Sequence, residues 1–186
     1  MSSETCTSVA AEANHTTRVR DFSPSITVID PPSSQLGSLL VDSSNVLTLI
    51  ADGLTLQGDL RLDGAGAQLV EARPSVVTVG NRLLDPNGNL NVSTVIVDGA
   101  DGVQTPSVSG NLIVRGRSLL SDDLDVAASL TISDRGELTL GGHRVNVTGD
   151  FRTTASGSLR MQVSADTLRV LGDAVFGGGP AHGRGA

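Results

Sequence analysis

A short phrase recurs four times along this chain: an apolar residue, any residue, Gly, then Asp or Asn, usually followed by another apolar residue. It reads Leu56-Gln57-Gly58-Asp59-Leu60 and Val108-Ser109-Gly110-Asn111-Leu112, then Val147-Thr148-Gly149-Asp150-Phe151 and Val170-Leu171-Gly172-Asp173-Ala174. Each copy sets a turn between stretches that alternate apolar and polar residues. A chain built this way coils by stacking short strands, and internal repetition constrains architecture before any single residue does. The last two copies are 23 residues apart, close to one coil of a repeat stack, whereas the earlier spacings are 52 and 39. One or two coils are therefore expected to lack the phrase. Gly58, Gly110, Gly149 and Gly172 are read as structural turn residues. Gly149→Val is expected to destabilise the fold by a few kcal/mol because valine cannot adopt the turn's backbone angle.

From Leu39 onward the chain runs in short alternating pieces, among them Val46–Ile50, Leu54–Leu56, Leu60–Leu62, Val76–Val79, Leu90–Val92 and Thr94–Val97. They continue as Leu112–Val114, Leu124–Val126, Leu130–Ile132, Leu138–Leu140, Val145–Val147, Leu159–Val163 and Leu168–Val170. Period-two alternation over three to five residues marks a half-buried strand. Turn formers divide the runs: Asp63-Gly64, Asn87-Gly88, Asp98-Gly99, Asp101-Gly102 and Asp134-Arg135-Gly136. The expected fold is all-β, a β-solenoid or parallel β-helix, with a β-sandwich as the alternative. The strands are shorter than those usual in sandwiches, which favours the solenoid.

Three segments follow. Residues 1–38 form a polar N-terminal segment with a possible short helix at Glu4–Ala13, a capping strand at Ser25–Asp30 and a linker at Pro31–Gly37. Residues 39–176 form the solenoid, and residues 177–186 a Gly-rich flexible tail without apolar residues to cover the last coil. An uncapped stack presents an unpaired edge, so self-association through the solenoid ends is expected.

The core must be aliphatic, since the chain has no Trp, no Tyr and three Phe. Sixteen Asp against four Glu fits turns rather than helices. A net charge of −7, with thirteen scattered Arg and no Lys, argues against nucleic acid as a partner. Cys6 is the only cysteine, so no disulfide forms within the chain. No run approaches the roughly 20 apolar residues of a membrane span. The start lacks the basic-then-apolar order of a secretory signal, so an exported protein with this sequence would be a piece of a longer chain.

Chemistry-bearing patterns are sparse. His15, His143 and His182 lie far apart with no ligand-spaced partners. Calcium is the best ligand case: Asp85, Asn87 and Asn89 place oxygen side chains at alternate positions, as calcium loops do, and Asp98–Gly102 and Asp122–Asp125 are similar. Ordinary Asx turns are the preferred explanation of all three, and no cofactor is otherwise expected. Asp122, Asp123, Asp125 and Arg117 could supply the paired groups of a polysaccharide-active β-helix enzyme, but the aromatic rings that usually stack on sugars are missing. Thr48, Thr55, Thr131 and Thr139, each central in a Leu-Thr-Leu/Ile triplet, read as exposed strand positions.

The stretch Leu138–Phe151, continued by Gly157–Met161 and Asp166–Gly179, resembles the β-solenoid repeats of large secreted or surface bacterial proteins, the filamentous-haemagglutinin-like adhesin class. The resemblance covers residues 105–179 closely and 45–104 loosely. Bactofilin-type polymer-forming scaffolds are a weaker match, with more regular repeats. The resemblance implies a non-enzymatic structural or adhesive module, secreted or on the cell surface, with a possible glycan or cell-surface ligand. The alternatives are a polysaccharide-active β-helix enzyme and an intracellular polymer-forming scaffold.

Overall fold

The computed structural model describes residues 16–19, 26–29, 35–100, 102–154 and 156–177. Every regular element among them is a strand, and every pairing is parallel. The chain winds into a three-sided β-solenoid with one strand per side in each coil. The first three coils are β1 (Thr16–Val19), β2 (Ile26–Ile29) and β3 (Gln35–Leu36); β4 (Ser38–Asp42), β5 (Val46–Leu49) and β6 (Gly53–Leu56); and β7 (Leu60–Asp63), β8 (Gln68–Glu71) and β9 (Val76–Val79). The next three are β10 (Leu83–Leu84), β11 (Leu90–Asn91) and β12 (Thr94–Val97); β13 (Val103–Gln104), β14 (Ser107–Val108) and β15 (Asn111–Val114); and β16 (Arg117–Leu119), β17 (Leu124–Val126) and β18 (Leu130–Ile132). The stack closes with β19 (Glu137–Thr139), β20 (Arg144–Val147) and β21 (Phe151–Thr153), then β22 (Ser158–Arg160), β23 (Thr167–Val170) and β24 (Ala174–Phe176).

Face three is continuous: β3, β6, β9, β12, β15, β18, β21 and β24 make one eight-stranded sheet. Faces one and two each break once. Face one runs β1-β4-β7-β10-β13 and resumes as β16-β19-β22, joined only by the bridge Val103↔Leu120. Face two runs β2-β5-β8-β11 and resumes as β14-β17-β20-β23. The sequence at the face-two break supplies the reason. Pro106 has no N–H to give a neighbouring strand, and the Thr105 hydroxyl takes the Ser107 N–H (3.4 Å) and donates to the Ser107 carbonyl (2.8 Å).

The register sets coil length. Leu36, Leu56, Val79, Val97, Val114, Ile132 and Thr153 stack down face three, so a coil takes 17 to 23 residues. Ahead of the last coil, the buried inward ladders are mostly Leu, Val and Ile at 0–3 % exposure, and among the described residues Phe151 is the one fully buried aromatic. Such ladders of like aliphatic residues remove apolar area from water on every level, at about 25 cal/mol per Å². The all-parallel pairing replaces the alternative β-sandwich, whose sheets are antiparallel.

Several expectations need correction in detail. The repeated phrase does not mark one corner. Gly58 lies between faces three and one, whereas Gly110, Gly149 and Gly172 lie between faces two and three. The spacing of 39 spans two coils, with Ala128 at the intermediate position, and the spacing of 23 is one coil. None of these four glycines has a positive φ. Their requirement is room: a Cβ on Gly149 would lie 2.7 Å from the Ala128 carbonyl oxygen, and one on Gly110 2.3 Å from that of Val92. Left-handed backbone falls elsewhere, at Gly64, Gly88, Gly102, Gly141 and Gly142, and at Ser43, Asp134 and Arg135. In Asp134-Arg135-Gly136 the two non-glycine residues turn the chain, and Gly136 instead passes close to the Val114 carbonyl.

Strand pairing begins ahead of residue 39, since Gln35–Leu36 in the expected linker is β3 and β4 starts at Ser38. The expected strand Leu159–Val163 stops at Arg160 because the Asp166 carboxylate takes the Gln162 and Val163 N–H groups. The helix expected at Glu4–Ala13 and the tail beyond Gly177 lie outside the described residues.

Candidate functional sites

The calcium candidates occupy the corner between β10 and β11. Asp85 is fully buried there. Its Oδ1 accepts the Asn89 N–H at 3.0 Å and its Oδ2 the Leu90 N–H at 2.9 Å. Burial raises its pKa above the ordinary range, with these N–H groups acting in the opposite direction. Asn87 is exposed, and the Asn89 side-chain amide donates to the Ala65 carbonyl at 3.1 Å. Asp85 thus closes its own loop, with Gly88 at φ 68° completing the turn. Among the described residues no group of three or more His, Cys, Asp or Glu is placed to hold a metal ion.

The candidate enzyme set does not converge. Arg117 lies on face one and Asp125 on face two, with Asp122 and Asp123 at the corner between them. Asp123 accepts the Arg144 N–H at 2.8 Å and its guanidinium at 2.9 Å, which hold the Asp123 carboxyl below the usual range. Asp125 accepts the Asn146 amide at 2.7 Å. His143 lies at the same corner one coil later, with Nδ1 3.9 Å from Asp123 Oδ1. Cys6, His15 and His182 lie outside the described residues. The four Thr of the Leu-Thr-Leu/Ile triplets divide among all three faces.

What the acidic residues do instead is tie coils and loops together. Burial pushes Asp59 up, but hydrogen bonds from Arg82 and its charge, with the Asn81 amide, bring it below the ordinary value. Glu71 accepts the Ser75 N–H and hydroxyl, each at 2.8 Å, and the Ser93 hydroxyl of the next coil. These bonds outweigh its burial and lower its pKa. Asp166 accepts the Val163 and Gln162 N–H groups and, from the preceding coil, that of Gly142 at 2.6 Å, and its pKa is lowered by them.

One series of these contacts repeats with direction. Asn111 accepts the Ser129 N–H (3.2 Å), Ser129 the Asp150 N–H (3.3 Å), and Asp150 the Asp173 N–H (2.9 Å). Each side chain at this corner receives a donor from the coil that follows. Sequence reasoning found three of the four positions through the repeated phrase but not the hydrogen bonding that unites them.

Two surfaces stand out. The first is an open groove of about 650 Å³ over the break in face two, lined by Asn89, Asn91, Ser107, Ser109, Asp125 and Asn146 among others. Contacts from Ser109 to Asn91 (3.1 Å) and from Asn146 to Asp125 hold the lining in place. The second is the last coil. Leu159, Leu168 and Val170 are only half-buried, and Ala174 and Phe176 are exposed, Phe176 by 62 %. Their register partners Leu138, Val145, Val147 and Phe151 are fully buried.

No family model, no curated protein and no solved structure matches the chain.

Proposed function

We propose that this chain is a non-enzymatic structural and adhesive module, a stiff β-solenoid that presents a polar surface. The observation that carries the reading is the use made of its carboxylates. Asp59, Glu71, Asp85, Asp123, Asp150 and Asp166 each accept backbone N–H groups of their own loop or the adjoining coil. Carboxylates so bound serve the scaffold, and general acid–base work needs such groups facing a substrate. The groove on face two supplies the adhesive side. Amides, hydroxyls and one carboxylate, without cations or rings, suit an uncharged polyhydroxylated ligand, that is, a neutral glycan. Strands stacked about 4.8 Å apart offer such a chain one polar side chain per coil along the axis. The compartment that goes with this reading is extracellular or cell-surface, on the sequence resemblance to solenoid adhesins. Incubation with a panel of polysaccharides tests it: the expected result is retention of some glycans with no new reducing or unsaturated ends. Release of either kind of end would overturn the reading in favour of a β-helix enzyme.

A further inference from the structure

We infer that the gap in face two, between β11 and β14, is a joint at which the solenoid divides into two separately unfolding halves, and that a ligand in the groove above the gap locks the joint. The joint follows from strand pairing alone. The lock rests on the neutral-glycan reading of the groove and couples that site to the rod beneath it.

In a stack where each coil touches only its neighbours, stability is close to a sum of coil and interface terms, and cooperativity fails first at the weakest interface. Coils two and three are paired over four residues on every face, and coils seven and eight over three or four. Coils four and five are paired over four residues on face three, two on face one and none on face two. On its other side coil five is held over three residues on face three, two on face two and the bridge Val103↔Leu120 on face one. Ser118, buried in coil six with its hydroxyl unpaired, adds a desolvation cost there.

A side chain spans the gap where a backbone ladder would run. The Ser109 hydroxyl lies 3.3 Å from the Leu90 carbonyl and 3.1 Å from Asn91 Oδ1, and with one proton it donates to one of them at a time. The Ser107 N–H is turned back to the Thr105 hydroxyl at 3.4 Å. One level later the equivalent N–H, that of Asp125, reaches the Pro106 carbonyl of the preceding coil at 2.9 Å. Leu90 and Val108, both buried, keep the gap closed at rest.

The groove lies across this gap. Gln68 and Asn91 form one bank, on the coils before it, and Ser109, Asp125 and Asn146 the other, on the coils after it. The banks keep their spacing only while the joint is closed. A glycan bonded to both therefore favours the closed joint by its differential affinity for that state.

Native-state hydrogen exchange of the full chain in rising denaturant is the test, run alone and with soluble dextran, galactomannan or xyloglucan. Two amides report on the joint, because they bond across it: Asp85 N–H to the Gln104 carbonyl at 2.7 Å and Asn111 N–H to the Ser93 carbonyl at 2.9 Å. Strands β5, β8 and β9 are expected to exchange as one group and β18, β20 and β21 as another, with different denaturant midpoints. Ser109→Ala is expected to speed exchange at Asp85 and Asn111 about fivefold, the worth of one hydrogen bond, and to leave β5 and β20 unchanged. A bound polysaccharide is expected to slow the same two amides about tenfold at a free concentration of about ten times its Kd. A single exchange group across the gap, or a Ser109→Ala variant that speeds both halves alike, would overturn the joint. A polysaccharide that binds without slowing Asp85 and Asn111 would overturn the lock and leave the glycan reading standing. Two exchange groups with none of the three polysaccharides bound would remove the neutral-glycan reading and its lock, and leave the joint.

Discussion

Gly149→Ala separates two explanations of the repeated glycine phrase, because they differ in sign. Gly149 has no positive φ, so alanine can adopt its backbone. If the space beside it were open, alanine would stabilise the protein by about 0.4–1 kcal/mol through the reduced freedom of the unfolded chain. The space is not open. A Cβ would lie 2.7 Å from the Ala128 carbonyl oxygen, 2.9 Å from its carbon and 3.1 Å from the Ser129 hydroxyl. Comfortable contacts begin near 3.5 Å, so the two coils must separate locally by several tenths of an ångström. That carbonyl accepts the Gly149 N–H at 2.9 Å, and the Ser129 hydroxyl accepts the Asp150 N–H, so the movement strains two inter-coil hydrogen bonds. With each bond contributing about 1 kcal/mol and overpacking about 1–3 kcal/mol, the expected loss is about 1–3 kcal/mol. For a chain of this size that is a fall in Tm of about 2–12 °C. Circular-dichroism melts measure it. An alanine variant as stable as the parent, or more so, would refute the close-approach argument.

Asp85→Ala leaves the buried Leu90 N–H without an acceptor and should lose about 1–3 kcal/mol in denaturant unfolding. Calcium should leave the parent's melting temperature unchanged, and a calcium-dependent rise would restore Asp85, Asn87 and Asn89 as ligands. Ser118 is buried with its hydroxyl unpaired, so Ser118→Ala should gain about 1 kcal/mol, and a loss in the same unfolding assay would mean that the hydroxyl has a partner. Asp59, Glu71, Asp123 and Asp166 have lowered pKa values. Their stabilisation is present above the unfolded value and lost as pH falls through the folded one. Asp85, raised by burial, acts in the opposite sense, but one group stands against four. Stability should therefore fall below about pH 4, and a Tm that holds or rises on acidification there would contradict the assignments.

Much of the fold is legible because the period is. Runs such as Leu47–Leu49, Leu60–Leu62 and Val145–Val147 alternate cleanly, and each lies in a strand with its apolar residues inward. Strands of two or three residues leave no period to read. β10, β13 and β14 hold two residues each, and β16 holds Arg117, a buried Ser118 and an exposed Leu119, the reverse of a readable pattern. The phrase around Gly58 matches the other three in letters but not in place, since a close approach at any corner selects the same small residue. The groove and the Asn111–Asp173 series stayed invisible for a related reason. Both depend on residues 17 to 23 apart meeting side by side, and irregular coil lengths hide that spacing.

The most direct measurement of the central claim, a stack whose every coil is sealed by the next, is amide hydrogen exchange on the dilute chain. Leu112, Leu130 and Phe151 donate forward to the following coil, and Ala174 holds the same register on the last strand of its sheet among the described residues. The account predicts slow exchange at the first three and fast exchange at Ala174, in line with the protection that inter-strand bonding confers. Equal protection at all four positions, or fast exchange at Leu112 and Leu130, would contradict it.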